Sequence, residues 1–332
     1  MRYLVQFPAG LSLLVGRALS QTCAGYREVY ADDSALVFDT STRFARADDV
    51  EVGKNVFVVW ASAPRRNLAK TVARLTDDIP ASIRPQRPDR NGFRTMVQID
   101  GTLTGVDRGT RTRLESALAA RTGQRVQSRG GNTEYWVMGR RDHDELWLLE
   151  RLPRRTKPSG RAGALSAELA AALVLASDPR ASDVFCDPFA GSGALVLARS
   201  RRPARSLVYG DRDLAGQRDG LPAELLADRR VRLVDDDALE LPSVPDRSIE
   251  AIVTDPPWGE YEPLDRPYDE FVGAMAASFR RVLSASGRLV LLTSRRTADE
   301  AATAFDRAGL PVTDQLAVLL NGHPATVLLG HG

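Results

Sequence analysis

From residue 165 onward, the sequence alternates strand-like apolar runs with longer helical segments. This alternation constrains the fold strongly, because neighbouring parallel strands need a crossover connection, which is usually a helix. We therefore predict an α/β domain with a doubly wound, mostly parallel sheet. The last segment differs, since two apolar runs flank Asn321-Gly322 and predict a hairpin of antiparallel strands at the sheet edge. The predicted strands are residues 184–186, 207–209, 231–234, 249–254, 289–293, 312–319 and 325–329, and the predicted helices are residues 167–176, 194–199, 268–283 and 298–308.

The first 150 residues have a different pattern, in which short apolar runs and turns outnumber helical segments. This pattern is typical of small α+β domains. A segment rich in proline, glycine and arginine follows and is typical of a connector. We predict four parts: residues 1–60, residues 61–150, a basic linker at 151–163 and the α/β domain at 164–332. The predicted N-terminal strands are residues 3–7, 35–38, 56–60, 93–99, 136–138 and 146–149, and the predicted helices are residues 11–19, 69–75 and 111–120.

Charge is distributed unevenly along the chain. The whole sequence carries a net charge of only +2, but residues 1–161 carry +9 and residues 162–332 carry −7. A basic first half joined to an acidic second half favours a module that binds a polyanion. Within the linker, Arg151–Arg161 holds five basic residues and no acidic one. A solvated connector and a contact to nucleic-acid phosphates are equally good interpretations of this segment.

The sequence excludes several classes of protein and site. Cys23 and Cys186 lie far apart, which gives neither a disulfide framework nor a zinc site, and the three histidines stand alone. We therefore expect no metal and a reducing, cytoplasmic environment. No apolar run is long enough for a transmembrane helix, so we expect no membrane partner. Pro8 and Gly10 interrupt the apolar N-terminus, which favours a strand and a helix over a secretion signal.

A glycine turn, with the sequence DPFAGSG at residues 187–193, follows the first predicted strand of the α/β domain. Glycines at the carboxyl end of a buried strand let the backbone approach a ligand. The dinucleotide fingerprint needs a third small residue, and Val196 stands in its place, so an NAD site is disfavoured. A phosphate-binding P-loop is excluded because no Gly-Lys-Ser/Thr follows.

Two acidic residues follow the next two predicted strands. Asp211 ends the second strand, where a carboxylate can accept both hydroxyls of a ribose. Asp237 follows the third strand, where a carboxylate can accept a hydrogen from an adenine amino group. Either residue alone is more typical of a turn at a strand end. Both together, in order after the glycine turn, favour a nucleoside ligand without a required phosphate.

The most specific motif is Asp255-Pro256-Pro257-Trp258-Gly259, which follows the fourth predicted strand. Its two prolines fix the backbone and remove two donors, so the carbonyl groups there are fixed acceptors. We predict that the Asp255 carboxylate and the Pro256 carbonyl accept the two hydrogens of an exocyclic amine on a planar base, which stacks on Trp258. Two acceptors that favour a pyramidal nitrogen would free its lone pair to attack an electrophilic methyl group.

These segments resemble motifs I and IV of the S-adenosylmethionine-dependent methyltransferases that act on exocyclic amines of bases. DPFAGSG (residues 187–193) is similar to motif I and DPPWG (residues 255–259) to motif IV. Residues 93–149 are similar to a THUMP domain, and residues 1–60 to the ferredoxin-like segment that accompanies it. This layout is that of RNA guanine-N2 methyltransferases, which modify tRNA or, in relatives, rRNA. The resemblance implies a Rossmann-like class I methyltransferase domain preceded by a ferredoxin-like and THUMP α+β region.

The resemblance also implies roles for individual residues. Those that would hold and activate the target amine are Asp255, Pro256, Pro257 and Trp258. Those that would bind the cofactor, S-adenosyl-L-methionine, are Asp187, Phe189, Ala190, Gly191, Gly193, Asp211, Asp237 and Ala238. Those that would contact RNA, chosen by clustering, are Arg108, Arg111, Arg113, Arg125, Arg129, Arg154, Arg155 and Lys157. A solvated basic face is an equally good interpretation of any one of these basic residues.

Two alternatives stay open. The Asp-Pro-Pro-aromatic tetrapeptide also occurs in adenine-N6 methyltransferases that act on RNA or DNA. A non-catalytic RNA-binding protein with a degenerate methyltransferase domain is the other, although intact Asp255, Gly191 and Gly193 disfavour it. The sequence also departs from the family between residues 213 and 230, where two glycines and a proline predict a short or broken helix.

Overall fold

The computed structural model describes residues 1–81, 85, 92–127, 133–155, 164–260, 263–320 and 322–332. The chain divides into two compact units. The first comprises Met1–Phe7 and Leu19–Lys157, and the second comprises Pro8–Ala18 and Pro158–Gly332. Most of the predicted linker, and Asn321 of the predicted hairpin, lie outside the described residues.

A mixed sheet forms the framework of the first unit. Helix α1 precedes the second strand, and its residues 12–18 belong to the second unit. In the described part of this half, the elements are β1 (Arg2–Gln6), α1 (Ser12–Thr22), β2 (Arg27–Ala31), β3 (Ala35–Asp39), β4 (Asn55–Pro64), α2 (Leu68–Asp77), β5 (Phe93–Ile99), β6 (Thr102–Leu103), α3 (Arg108–Thr122), β7 (Thr133–Gly139) and β8 (Glu145–Arg151). The strand order is β2-β3-β1-β4-β8-β7-β5-β6. Strands β5 and β7 pair in parallel, and the other neighbours pair antiparallel.

One apolar cluster joins two helices to this sheet. Val72 of α2 and Leu118 of α3 are buried in the same cluster as Phe93 of β5, Tyr135 of β7 and Leu148 of β8. Burial of each large apolar side chain contributes about 1.5–3 kcal/mol. Helices α2 and α3 are therefore held by packing against the sheet as well as by their own backbone hydrogen bonds.

The predicted boundary between residues 60 and 61 falls inside β4. This strand pairs with β1 on one side and with β8 on the other, so one sheet runs through both predicted N-terminal segments. Every strand predicted in this half is present. Strand β2 was not predicted, because its sequence, Arg-Glu-Val-Tyr-Ala, lacks an apolar run and lies half-buried or exposed at the sheet edge.

The second unit contains the predicted α/β sheet. Its described elements after α1 are α4 (Ala167–Ala176), β9 (Val184–Asp187), α5 (Ala194–Ser200), β10 (Ser206–Gly210), α6 (Leu214–Arg218), α7 (Ala223–Ala227), β11 (Val231–Val234), β12 (Ile249–Thr254), α8 (Tyr268–Val282), β13 (Leu283–Ser294), α9 (Ala298–Arg307), β14 (Val312–Leu320) and β15 (His323–His331). The strand order is β11-β10-β9-β12-β13-β15-β14. The first five strands in this order, from β11 through β10, β9 and β12 to β13, are parallel. Strand β15 runs antiparallel to β13 and β14. The predicted doubly wound sheet with an antiparallel edge hairpin is confirmed, and so is the break of the helix after the second strand into α6 and α7.

Aromatic side chains anchor α8 and α9 in the second unit. Phe271 and Phe279 of α8, Phe305 of α9 and Ile252 of β12 belong to one buried cluster. The rings of Phe279 and Phe305 lie 5.9 Å apart, within the range for a favourable aromatic pair. This packing fixes the start of α8, where Tyr268 faces the site described below.

The segment Pro8–Ala18 contacts one end of the edge strand β14, a feature that the sequence did not predict. The Leu319 N–H donates to the carbonyl oxygen of Ala9 at 2.9 Å. Gly10 has a φ of +91°, and a Cβ there would clash with the carbonyl oxygen of Ala317. Only glycine satisfies both conditions, so the chain can return to this edge only with Gly10 in place.

Candidate functional site

The two sequence motifs meet at the centre of the second sheet. Strands β9 and β12 are neighbours, and the chain continues from β9 to β10 on one side and from β12 to β13 on the other. Open α/β sheets bind ligands at such a reversal of strand order, outside the carboxyl ends of the strands. The Thr254 hydroxyl at the end of β12 donates to Asp187 Oδ1 at the end of β9, at 2.8 Å. The site is therefore built on two adjacent strand ends that are joined by a buried hydrogen bond.

Two hydrogen bonds at Gly191 fix the conformation of the glycine turn that follows β9. The Gly191 N–H donates to Asp211 Oδ2 at 2.9 Å, and the Tyr209 hydroxyl donates to the Gly191 carbonyl at 2.6 Å. Gly191 and Gly193 have φ values of +46° and +76°, which favour glycine. A Cβ at Gly191 would meet nothing closer than the Phe189 carbonyl oxygen, 4.0 Å away. The turn therefore presents bare backbone to open space.

Two supporting residues near this turn were missed by sequence reasoning. The Gly210 carbonyl accepts the Ala190 N–H at 2.9 Å, and a Cβ at Gly210 would approach Pro188 Cα to 3.2 Å. The available signal was a glycine at the end of a strand, directly before an aspartate. The second is Phe271 of α8, whose ring packs against that of Phe189 with centroids 6.0 Å apart and so supports the turn from α8.

The two predicted nucleoside-binding carboxylates follow β10 and β11 as expected. Asp211 Oδ1 accepts the Asp213 N–H at 2.9 Å, and Asp237 Oδ1 accepts the Leu239 N–H at 2.9 Å. A carboxylate has about four lone-pair positions, so both side chains retain acceptor capacity for a ligand. Ala238 is buried beside Asp237.

Asp187 is a buried carboxyl group, 1% exposed. Burial raises its pKa to about 8, and the charges of Asp255 and Asp211 act in the same direction. Hydrogen bonds from the Thr254 hydroxyl and the Phe189 N–H oppose this rise because they stabilise the ionised form. Asp187 thus carries a proton at neutral pH more readily than an exposed aspartate does.

Asp255 begins the segment that follows β12. Burial raises its pKa to about 7, and a hydrogen bond from the Trp258 indole N–H to Oδ1, 3.0 Å long, opposes the rise. The same bond fixes the edge of the Trp258 ring. Pro256 and Pro257 lie between these two residues and have no N–H of their own. The structure therefore brings together the four residues predicted to hold an amine, with their acceptors on one short segment.

A cavity of about 470 Å³ opens beside this segment. Both acidic and basic side chains line this cavity. Of its lining residues, only Trp258 was predicted from the sequence to belong to the site. The signal that was available is Glu260, two residues after Trp258. The lining residues are Trp258, Gly259, Glu260, Leu264, Arg266, Tyr268, Arg296 and Thr297.

The basic residues predicted to contact RNA have different environments in the first unit. Arg108, Arg111 and Arg125 are exposed. Arg113 pairs with Asp77 at 2.7 Å. The Arg154 guanidinium donates to the carbonyl oxygens of Gly53 and Lys54, which makes it part of the fold, whereas the Arg155 side chain is exposed. Arg129 and Lys157 lie outside the described residues.

Among the described residues, no group of three or more His, Cys, Asp or Glu side chains is arranged to hold a metal ion. Nor does any described helix combine the length and the apolar character needed to cross a membrane.

Comparison with known proteins agrees with this geometry. Residues 154–204 and 224–313 match the family model for the RMKL-like methyltransferase domain, UPF0020. The matched residues of the second unit are thus similar to a methyltransferase domain. Both strand-end motifs, at residues 187–193 and 255–259, fall within the two segments that match this family model.

Two curated relatives extend the similarity beyond the methyltransferase domain. The chain is 25% identical over 230 residues to the U6 snRNA (guanine-N(2))-methyltransferase THUMPD2 of Bos taurus, covering 67% of this chain and 44% of that protein. It is 25% identical over 219 residues to the tRNA (guanine(10)-N2)-dimethyltransferase of Methanothermobacter thermautotrophicus, covering 65% of this chain and 58% of that protein. The matches thus span about half the length of these relatives.

Solved structures confirm the fold over the whole chain. TrmN from Thermus thermophilus superposes with a TM-score of 0.75 at 20% identity, covering 100% of this chain and 99% of that one. The protein SMU.472, solved in complex with SAH, has a TM-score of 0.66 at 12% identity, covering 100% of this chain and 98% of that one. These superpositions confirm the predicted fold class, a Rossmann-like, doubly wound sheet with an antiparallel edge hairpin preceded by an α+β region.

Proposed function

We propose that this chain is an S-adenosylmethionine-dependent RNA methyltransferase that transfers a methyl group to the exocyclic N2 of a guanine in tRNA. The observation that carries the proposal is the adjacency of two strand ends: the open glycine turn follows β9, and the acceptor segment Asp255–Trp258 follows β12. A nucleoside cofactor and a base can meet there. The methyltransferase domain match supports this chemistry.

The residues around the glycine turn fit the cofactor. Bare backbone at Gly191 leaves space for its methionine part, which a side chain there would fill. We assign the ribose hydroxyls to Asp211, and the adenine to Asp237 with the backbone of Ala238. When bound, the cofactor supplies an electrophilic methyl group. The structure of SMU.472 with SAH, the product form of this cofactor, supports the assignment.

The acceptor segment activates the amine of the base. The Asp255 carboxylate and the Pro256 carbonyl each accept one of its hydrogens, which favours a pyramidal nitrogen with its lone pair available. A hydrogen bond to a charged group contributes about 1.5–3 kcal/mol. Base stacking on Trp258 contributes about 1–3 kcal/mol. After methyl transfer, Asp255, whose pKa is raised to about 7, can take the proton that the amine releases.

The substrate class rests on the first unit and on the relatives. The basic first half suits the RNA backbone, since phosphate contacts dominate such affinity. Its likeness to a THUMP region supports RNA rather than DNA as the substrate. Of the two curated relatives, one is named for tRNA and one for U6 snRNA, and both are named for guanine N2. We place the protein with tRNA, in the cytoplasm.

Two measurements test the proposal. Calorimetry should show that S-adenosylmethionine binds, and nucleoside analysis of tRNA incubated with labelled cofactor should give N2-methylguanosine. N6-methyladenosine as the product would move the function to adenine methylation. RNA binding without cofactor binding would leave only a non-catalytic RNA-binding protein.

A further inference from the structure

The cavity beside Trp258 has walls of contrasting hydrogen-bonding character. Glu260 contributes a carboxylate, which only accepts hydrogen bonds when ionised, and Arg296 contributes a guanidinium, which only donates them. Thr297 also lines the cavity, and its buried hydroxyl has no hydrogen-bond partner among the described residues. At about 470 Å³, the cavity lies within the range of roughly 300–1,000 Å³ for small-ligand sites. It can therefore hold a base and distinguish one edge pattern from another.

Glu260 is held by one of its two oxygens. Its Oε1 accepts the hydroxyl of Ser294, a fully buried residue at the end of β13, at 2.5 Å. Arg296 Nε lies 3.8 Å from the same oxygen. The other oxygen, Oε2, makes no hydrogen bond to a described residue, and the side chain is 22% exposed. The carboxylate is thus oriented by the sheet and keeps one acceptor oxygen available.

Trp258 connects the Glu260 carboxylate to the acceptor segment Asp255–Trp258. Its ring lines the cavity together with Glu260, while its indole N–H is bonded to Asp255. A base that stacks on Trp258 and directs its amine to Asp255 meets Glu260 through the ring nitrogen N1 when its Watson–Crick edge faces that carboxylate. In guanine N1 carries a hydrogen, whereas in adenine it carries a lone pair. The residue that meets N1 therefore decides which base is accepted.

We propose that Glu260 is the specificity-determining residue of the site: it accepts the N1–H of the target guanine and excludes adenine. This inference rests on the proposed function and names the group that selects its base. An adenine in the same position would place its N1 lone pair against a carboxylate, leaving both acceptors without a donor in a partly buried site. Guanine also offers its O6 as an acceptor to the guanidinium of Arg296, which lines the same cavity.

The first test changes the protein. Once the methylated nucleotide has been mapped, kcat/KM is measured on RNA carrying guanine or adenine at that position. Glu260→Gln, whose amide can donate to adenine N1, should lower the guanine-to-adenine ratio of kcat/KM by about tenfold or more. Glu300→Gln makes the same change on the exposed first turn of α9 and should leave the ratio unchanged. An unchanged ratio in Glu260→Gln, with cofactor binding intact by calorimetry, would overturn the inference.

The second test changes the RNA and does not depend on how the variant folds. Unaltered protein is given RNA with 1-methylguanine at the target, which removes the N1–H, or with 7-deazaguanine, which alters the opposite edge of the base. We expect 1-methylguanine to reduce methylation about a hundredfold and 7-deazaguanine to leave it nearly unchanged. Equal methylation of 1-methylguanine and guanine would overturn the role of Glu260 while leaving guanine-N2 methylation standing. Absence of N2-methylguanosine with unmodified RNA would instead overturn the proposed function.

Discussion

The Thr254 hydroxyl donates a 2.8 Å hydrogen bond to Asp187 Oδ1 and so joins the ends of the two central strands of the second unit. Both residues are buried, with at most 1% of their surface exposed. This bond links β9, which the glycine turn follows, to β12, which the acceptor segment follows. The relative placement of cofactor and base in the proposed reaction therefore depends on one hydroxyl.

Replacing that hydroxyl should weaken cofactor binding. Thr254→Val keeps the shape of the side chain but removes the donor, leaving a buried acceptor on Asp187 without its partner. We expect the affinity for S-adenosylmethionine to fall by about tenfold or more, measured by calorimetry. Thr303→Val, on the exposed face of α9, is the matched control and should bind normally. Normal binding by Thr254→Val would show that Asp187 does not need this link.

Asp255→Asn should separate turnover from cofactor binding. The change preserves the size of the side chain and removes its charge, so the side chain accepts a weaker hydrogen bond from the amine and cannot take its proton. We expect kcat to fall about a hundredfold or more, with cofactor affinity unchanged by calorimetry. Asp299→Asn, on the exposed first turn of α9, serves as the control. Activity near the original level in Asp255→Asn would contradict the proposed mechanism.

The rate should depend on pH near neutrality. Only the ionised form of Asp255 accepts both a hydrogen bond and a proton, and its pKa is raised to about 7 by burial. We therefore expect kcat at saturating substrates to rise with pH up to about 7 and then to level off. Single-turnover rates across this range measure the effect. A flat profile for the unaltered protein would show that the ionisation of Asp255 does not limit the reaction.

Stability without cofactor should change in the opposite direction. Asp187 and Asp255 have pKa values of about 8 and about 7 when folded, above the value of about 3.9 for an unfolded aspartate. Between these limits the folded state binds more protons than the unfolded state, so the free energy of unfolding falls as pH rises from about 4 to about 8. We expect Tm to be lower at about pH 8.5 than at about pH 5.5 by roughly 5 °C or more. Asp187→Asn should reduce that difference, and an unaltered difference would contradict the assignment to Asp187.

Gly10→Ala should destabilise the second unit, because the added Cβ meets the Ala317 backbone and the φ of +91° disfavours alanine. We expect the free energy of unfolding to fall by about 2–4 kcal/mol, measured by chemical denaturation. Gly105→Ala is the control, since a Cβ there meets no atom within 4 Å and the φ is not positive. Equal stability of the two variants would show that the backbone near Gly10 can move away from β14.

The local elements of the second unit were largely predictable from sequence. Strands 231–234 and 249–254 begin and end where predicted, because each is an apolar run bounded by polar or turn residues. The acceptor segment was predictable because two prolines after a strand restrict the backbone severely. The contact between Thr254 and Asp187 joins residues 67 positions apart, and only the strand order creates it. Glu260 was missed because its partner, Ser294, belongs to a neighbouring strand.

The placement of Ala9 against Leu319 has a practical consequence for anyone who expresses the methyltransferase domain by itself. A truncated protein that starts at residue 164 would lack Ala9 and would leave the Leu319 N–H at the end of the β14 edge without this partner. Open edges of this kind recruit strands from neighbouring molecules and promote aggregation. A circular permutant that attaches residues 8–18 to the C-terminus is the better design, because it can keep the bond between Leu319 and Ala9 within one polypeptide.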